Sequence, residues 1–425
     1  MTSTFDLAAL LLALAAGFGL ANYWFVRLPQ TVGLLVIAFV ASLGLIAVDR
    51  VFPGIGLRQH AAGLVEATDL PRSLLNGALS FLLFAGAMQV DLSPLWSRKW
   101  TVFLLATGGT ILATLLAGGG IALIFLLVGH PVPIAWCLVF GAIMAPTDPV
   151  AVLDVMRRIG LSATLRATLV GESLFNDGVG VVLFGLLLGI ATGTGEPLSV
   201  VGLSGLFLVE AFGGALLGLA SGYAAYLAFR KVDDSSLELL LSFALVLVTY
   251  SLAAHLHVSG PIAEVVAGIL IGNQATGRAM GEKTQRPLQT VWTVIDELLN
   301  ALLFLLIGLE VLVVQLDRAS IAAAVLAIPL AIATRLISVL VSAFGLHWRS
   351  PARWLGIAAL TWGGVRGGIA VALALSLPPS PYRGLILTAS YGVVLFNIVG
   401  QGLTLKRVLG FDFDRRKRRS ADNAR

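Results

Sequence analysis

The chain has 425 residues, of which 58% are hydrophobic and only 12% are charged, and its mean hydropathy is +0.94. Soluble globular proteins carry about 25% charged residues, so this composition excludes a soluble protein and indicates a membrane protein with many spans. The formal net charge of +5 lies in short loops and a basic tail, where it favours one side of a membrane rather than nucleic-acid binding. The single cysteine, Cys137, excludes an intramolecular disulfide and a metal site built from cysteines.

Thirteen apolar runs are long enough to cross a bilayer, since a spanning helix needs about 20 residues. The first run starts almost at Met1 but lacks the basic stretch of a secretory signal, so we expect it to remain as a helix. The spans are predicted at 5–26, 30–48, 73–91, 101–128, 133–156, 165–191, 199–229, 236–255, 259–276, 290–315, 320–344, 352–376 and 384–408.

The distribution of Lys and Arg predicts the orientation. With the N-terminus outside, the inner loops hold thirteen of these residues and the outer loops five, before a tail that adds eight to the inside. The positive-inside rule therefore predicts a multi-pass protein of the cell (inner) membrane, with an outer N-terminus and a cytoplasmic C-terminus. No polar stretch is long enough for a soluble domain, so we expect one transmembrane domain at 1–410 and a basic cytoplasmic tail at 411–425, near the membrane lipids.

The fifth and the twelfth spans are interrupted by helix-breaking residues. Segment 141–154 contains Pro146 and Pro149, and segment 361–375 has four glycines around Arg366. Proline removes a backbone donor and frees carbonyl groups, and glycine lets the backbone unwind. Close helix packing is the alternative explanation for the glycines, but it does not explain an arginine within the span.

These breaks fall in corresponding halves of the chain. We predict one repeat at about 1–192, a linking helix at about 199–229 and a second repeat at about 236–408. The offset of seven spans between the breaks is odd, so the two six-helix units would be inverted. Inverted repeats with broken helices at the midplane are typical of secondary transporters.

Polar residues in the middle of the sixth span give the strongest functional signal. Glu172, Ser173, Asn176 and Asp177 lie within Gly171–Gly180, where each charge costs roughly 2.5–3.5 kcal/mol on insertion scales. Helical spacing puts Ser173 and Asp177 on one face, with Glu172 and Asn176 on the adjacent face. We interpret the group as an ion or proton site, the alternative being a polar network that only joins helices.

Three motifs carry a resemblance to a known family: Ala145-Pro146-Thr147-Asp148-Pro149, Gly171-Glu172-Ser173-Leu174-Phe175-Asn176-Asp177-Gly178 and Gly363-Gly364-Val365-Arg366-Gly367. In this order, within thirteen spans, they resemble the monovalent cation/proton antiporters of the sodium/proton exchanger type, in the prokaryotic NhaP-like branch with the Asn-Asp motif. The resemblance covers the chain except its tail. It implies an all-α, NhaA-like antiporter fold of about 13 transmembrane helices, crossed discontinuous helices and a homodimer joined near the linking helix.

The resemblance also implies the role of each motif residue. Asp177 would hold a proton or a cation in turn, with Ser173 and the Thr147 backbone carbonyl as further ligands of Na⁺. Asn176 would orient Asp177, Asp148 would stabilise the helix break, and Glu172 would pair with Arg366. One cation would exchange for one proton, without a cofactor. Some relatives carry a glutamate in the third span after a phenylalanine, but this chain has Phe84-Ala85, so that ligand is missing.

The hard oxygen ligands favour Na⁺ or Li⁺ as the substrate that is exchanged for H⁺. A K⁺/H⁺ antiporter on the same site stays open as the alternative. A channel or a membrane sensor is disfavoured, because no symmetric pore pattern or large soluble domain is visible. An enzyme is disfavoured too: the chain has no P-loop, no HExxH and no GxSxG motif, and Ser173 has no histidine or lysine base in the span.

Four further acids lie in or near the later spans. Glu264 falls in a stretch that the resemblance makes apolar, so it is either at the edge of the pore or a peripheral partner. Asp296, Glu297 and Glu310 lie near the ends of the tenth span, where we expect them to be solvated.

Overall fold

The structure is a computed structural model that describes residues 4–52, 77–148, 162–194, 200–273, 282–312, 314, 317–345 and 353–409. All regular secondary structure in these ranges is helical. The α-helices are α1 (Thr4–Ala21), α2 (Gln30–Val51), α3 (Leu79–Met88), α4 (Leu92–Ser97), α5 (Lys99–Leu104), α6 (Thr110–Leu127), α7 (Ile134–Met144), α8 (Ala163–Thr192), α9 (Val200–Phe229), α10 (Ser235–His255), α11 (Gly260–Leu270), α12 (Glu282–Leu309), α13 (Arg318–Gly345), α14 (Arg353–Gly363), α15 (Gly368–Leu375) and α16 (Arg383–Phe396).

Every predicted span contains a helix or part of one. In the described part of the chain, eight helical stretches are long and apolar enough to cross a membrane, and α14 with α15 forms a ninth span that is bent by 42°. The helices α3 and α7 are shorter, and residues 73–76 and 149–156 of their predicted spans lie outside the described residues. The count of thirteen, the limits of the two repeats and the linking helix therefore stay predictions. The tail at 411–425 also lies outside the described residues.

The helices pack as two bundles. One contains α5 to α8 with α13 to α16, and its core includes Phe125, Phe140 and Val393. The other contains α1 to α3 with α9 to α12, and its aromatic centre includes Phe84, Phe229 and Trp292. Because α8 also packs on α11, where Ile262 meets Gly178, the polar stretch of α8 lies at the boundary between the bundles.

Side chains that accept backbone hydrogen bonds fix where several helices begin. Ser162 caps α8 through Leu165 N, Asp234 caps α10 through Leu237 N, and Ser259 caps α11 through Ile262 N. Asp317 accepts from the backbone N–H and the hydroxyl of Ser320 in the first turn of α13. These hydrogen bonds favour the ionised carboxylate, so they lower the pKa of Asp317 from its ordinary value.

Glycines on α6 and α7 let these two helices pack closely against each other. A Cβ on Gly141 would overlap the carbonyl oxygen of Thr114, and a Cβ on Gly118 would lie 3.0 Å from the Cα of Leu138. The oxygen that a Cβ on Gly141 would overlap belongs to the backbone, so rotation of a side chain cannot relieve the overlap. This contact positions α7, which leads directly into the first helix break.

We expect Gly141→Ala to lower the free energy of unfolding by about 1–3 kcal/mol, because the added methyl overpacks the α6–α7 contact. Thermal unfolding in detergent would measure the change. The matched control is Gly119→Ala on α6, where a Cβ meets nothing within 4 Å. Equal melting of the two variants would contradict the assigned contact.

Candidate functional site

The two interrupted spans cross at their breaks. Helix α7 ends at Met144, and the next residues run without helical structure to Asp148, whose N–H donates to the carbonyl of Val365 at 2.6 Å. Val365 lies in the break between α14 and α15. A Cβ on Gly367 would overlap the Asp148 carboxylate, so this acid lies against the backbone where α15 begins. A negative charge there stabilises the positive end of the helix dipole, as the sequence predicts for Asp148.

Arg366 donates hydrogen bonds to backbone carbonyls at the C-terminal ends of the broken helices. It is 1% exposed, and its Nε donates to the carbonyl of Met144, the last residue of α7, at 2.9 Å. Its terminal nitrogens donate to Gly364 O at 3.2 Å and to Ala331 O at 3.3 Å. The buried guanidinium therefore provides donors and positive charge at the carbonyl ends of α7 and α14.

The predicted partner of Glu172 is wrong. Glu172 is fully buried and forms a bidentate ion pair with Arg335 of α13, with Arg335 Nη2 at 2.8 Å from Oε2 and Nη1 bound to Oε1. Arg335 also donates through Nε to the carbonyl of Leu360 in α14 at 3.1 Å. Each of the three nitrogens of Arg366 donates to a backbone carbonyl, whereas Glu172 is bound by the arginine of the neighbouring span.

Two motif residues of α8 contact Thr147, which lies in the break that follows α7. Asn176 Nδ2 donates to the Thr147 hydroxyl at 2.9 Å, and Thr147 N–H donates to Asn176 Oδ1 at 3.2 Å. The hydroxyls of Thr147 and Ser173 are 3.0 Å apart. All three residues are at most 3% exposed, so the amide of Asn176 holds the break against α8. The orientation of Asp177 by Asn176 and the Thr147 carbonyl as a ligand stay predictions.

Asp177 lines a cavity of about 350 Å³. One face of α8 lines this cavity with Arg166, Val170, Leu174 and Asp177, and Asp148 lies in the same wall. Asp177 is 7% exposed, and no hydrogen bond to its side chain occurs within the described ranges. A carboxylate that is buried, reachable from a cavity and without a protein donor can be neutralised by a proton or a cation.

The structure changes the interpretation of the four further acids. Glu264 is fully buried, does not line the cavity and has two oxygens without a hydrogen-bond partner in the described part of the chain, so it is not at the edge of this cavity. Glu310 is 1% exposed, so the expectation that it is solvated is wrong. Asp296 is half-buried and lines the cavity with Asp177. The expectation holds for Glu297, which is exposed.

No three His, Cys, Asp or Glu side chains converge into a metal site in the ranges that the structure describes. The oxygens near the break come from the carboxylates of Asp177 and Asp148 and the hydroxyls of Thr147 and Ser173. These are hard ligands, which suit a small alkali cation rather than a transition metal.

Comparison with known proteins gives the family. The profile of the sodium/hydrogen exchanger transmembrane family matches residues 7–410. The chain belongs to this family. Members with high similarity include the Na(+)/H(+) antiporter NhaP of Pseudomonas aeruginosa, 43% identical over 406 residues, which are 94% of this chain and 95% of that protein. The Na(+)/H(+) antiporter NhaH of Halobacillus aidingensis is 34% identical over 385 residues, 90% of this chain and 91% of that one.

A solved structure of the same family type matches the fold. The sodium proton antiporter MjNhaP1 of Methanocaldococcus jannaschii at pH 8 superposes with a TM-score of 0.73 over 94% of this chain and 96% of that chain, at 21% sequence identity. The fold class predicted from the motifs, an NhaA-like antiporter fold, is thereby confirmed.

Proposed function

We propose that this protein is a secondary active transporter that exchanges Na⁺ for H⁺ across the membrane by alternating access. The observation that carries the proposal is Asp177, a nearly buried carboxylate that lines a cavity and has no hydrogen-bond donor from the described residues. The relatives that cover almost the whole chain bear the name Na(+)/H(+) antiporter, which supports sodium over the potassium alternative. Transport by such a protein needs neither ATP nor a cofactor.

Competition for Asp177 couples the two fluxes. Burial disfavours the bare carboxylate, so the residue binds either a proton or a cation, and each of them neutralises the same single charge. A neutral site crosses the low-dielectric barrier at much lower cost than a charged one. Thr147 and Ser173 supply further oxygens for the cation, and Li⁺ is expected to be carried along with Na⁺ because it prefers the same ligands.

The exchange is proposed to be electroneutral. Asp148 lies at the start of α15 and Glu172 is paired with Arg335, so both have a fixed source of positive potential that keeps them ionised throughout the cycle. Asp177 is then the single acid of this site that changes its proton. One Na⁺ replaces one H⁺, and the net charge that crosses the membrane is zero.

The orientation and the assembly are part of the proposal. The distribution of Lys and Arg supports a cytoplasmic C-terminus in the cell membrane. In the proposed homodimer a second copy covers exposed apolar residues of α9 such as Val209, Phe212 and Leu216. Lipid would otherwise cover this surface.

Proteoliposomes with an internal pH dye test the exchange. We expect added Na⁺ or Li⁺ to drive proton movement, with K⁺ much weaker, and the rate to be nearly the same at either sign of an imposed diffusion potential. The reason is that a potential acts at about 2.3 kcal/mol per net charge per 100 mV, and the net charge moved is zero. The exchange rate should also have a bell-shaped pH dependence. At low pH, H⁺ displaces Na⁺ from the site, and at high pH too little H⁺ binds for the return step.

Absence of sodium-driven proton movement would refute the antiporter itself. A rate that differs several-fold between the two signs of potential would refute electroneutrality and leave exchange intact. In that case a second acid, Asp148 or Glu172, carries a proton. Liposomes that contain Asp177→Asn protein provide the matched background signal.

A further inference from the structure

A further carboxylate of the cavity lining comes from the other helix bundle. Asp296 of α12 lines the same cavity, together with Gln89 at the end of α3 and Asn300 one turn further along α12. These three residues belong to the other helix bundle, whereas Asp177 and Asp148 belong to the bundle of the broken helices. Aspartates from both bundles therefore line the cavity: Asp296 from one, and Asp148 and Asp177 from the other.

Neutral amides hold Asp296 in place. Gln89 Nε2 donates to Asp296 Oδ2 at 3.2 Å, and Asn300 Nδ2 donates to Oδ1 at 3.0 Å. Within the described ranges no Lys, Arg or His forms an ion pair with Asp296. A carboxylate has about four acceptor positions, so the two amides orient it but leave acceptor capacity and the full negative charge available.

Asn300 adds an independent indication of a ligand. It is 3% exposed, and its Nδ2 is used on Asp296, while its amide oxygen accepts no hydrogen bond from the described residues. A buried amide oxygen that lines a cavity without a donor has an acceptor to offer to water or to a cation. The carboxylate and the amide oxygens of Asn300 and Gln89 are all hard ligands of the type that alkali and alkaline-earth cations prefer.

Along the cavity, Asp296 lies closer to the mouth than Asp177 does. Leu303 of α12 contacts Gly368, next to the Asp148 carboxylate, so it marks the deep end. Asp296 lies seven residues before Leu303, which is about 10 Å along a helix. On α3 the exposed Gln89 lies one turn beyond Gly86, which contacts Leu174 of α8. A cation that enters from the mouth reaches Asp296 first and Asp177 afterwards.

We propose that Asp296, Asn300 and Gln89 form an entrance site that binds the monovalent cation before it moves to Asp177. This inference rests on the proposed sodium/proton exchange and specifies how the cation reaches its site. The entrance site raises the local Na⁺ concentration and takes part in no proton transfer. It therefore acts on the apparent affinity for Na⁺ and leaves the maximal rate unchanged.

The variant that tests the site is Asp296→Asn. The change keeps the shape, and rotation of the Gln89 amide restores its hydrogen bond to the new side chain. In proteoliposomes we expect KM for Na⁺ to rise about 2- to 15-fold with kcat unchanged, the range that Coulomb's law gives for one charge about 10 Å away at effective dielectric constants of 80 to 20. Choline chloride should reduce the difference, because salt screens the attraction.

The matched control is Glu297→Gln, which removes the same charge from the adjacent, exposed position of α12. It should leave KM near that of the unaltered protein. Asp296→Glu, which keeps the charge, should lie closer to the unaltered protein than Asp296→Asn does. Equal KM in Asp296→Asn and Glu297→Gln, or a fall in kcat alone, would overturn the entrance site.

A binding measurement separates this inference from exchange itself. In the Asp177→Asn background, NaCl should raise the melting temperature in detergent above that in equal choline chloride, because a ligand of the folded state stabilises it. Adding Asp296→Asn should remove this sodium-specific rise, and adding Glu297→Gln should keep it. A rise that is absent in the background or equal in all three proteins refutes the site, whatever the flux assay shows. If the unaltered protein shows no flux, exchange fails while the melting result still decides the site.

Discussion

Asp177→Asn is expected to abolish sodium-driven proton movement in proteoliposomes and to leave the folded structure intact. The change removes the charge that binds either H⁺ or Na⁺ but keeps the shape of the side chain. Since no hydrogen bond to this side chain occurs within the described ranges, none is lost. The flux should fall to that of empty liposomes, while the melting temperature in sodium-free detergent should be unchanged or higher, because an isolated buried charge has been removed.

The matched control is Ser173→Ala, one turn before Asp177 on the same helix. It removes a hydroxyl that lies 3.0 Å from the Thr147 hydroxyl, and it keeps the carboxylate. We expect a raised KM for Na⁺ with measurable flux. Normal exchange by the Asp177→Asn protein would show that the coupled proton binds elsewhere.

The position of the site could be predicted from sequence because the bilayer makes polar residues expensive. Asp177 and Arg366 stand out for that reason, and Pro146 stands out because proline breaks helices. The structure brings the three residues together in one bundle. Helical spacing correctly put Glu172 and Asn176 on a face that is bound to protein. Ser173 was predicted on the face of Asp177, but it lies against Thr147 beside Asn176 and is not among the residues that line the cavity.

Contacts between residues of different helices could not be predicted in the same way. Arg335 is a charged residue within the eleventh predicted span and meets the same cost criterion as Arg366, yet no motif drew attention to it. Which arginine reaches Glu172 depends on how α13 packs on α8 and α14, and spacing within one helix carries no such information. Glu310 was expected to be solvated for a related reason: it lies near the predicted end of the tenth span, but in the folded chain it is buried.

The ion pair between Arg335 and Glu172 gives the largest expected effect on stability. The two side chains are 6% and 0% exposed, and the guanidinium also holds the carbonyl of Leu360 in α14. Arg335→Ala should lower the free energy of unfolding by about 3–5 kcal/mol, because it leaves the Glu172 carboxylate charged and buried without a partner. Thermal or denaturant unfolding in detergent measures this loss, and activity should fall with it because α14 leads into the second break.

A double-variant cycle identifies the cause of that loss. Replacing both partners, with Arg335→Met and Glu172→Leu, removes the unpaired charge, so the double variant should be more stable than Arg335→Met alone. The matched single control is Arg383→Ala, which removes a half-buried arginine that binds the carbonyl of Leu377 at 3.0 Å and has no ion pair within the described ranges. If Arg335→Ala cost no more than Arg383→Ala, or if the double variant were as unstable as the sum of its single changes, the buried pair would not be what joins α8 to α13. Glu172 would then depend on Arg366 after all, and Arg366→Ala would show the larger loss.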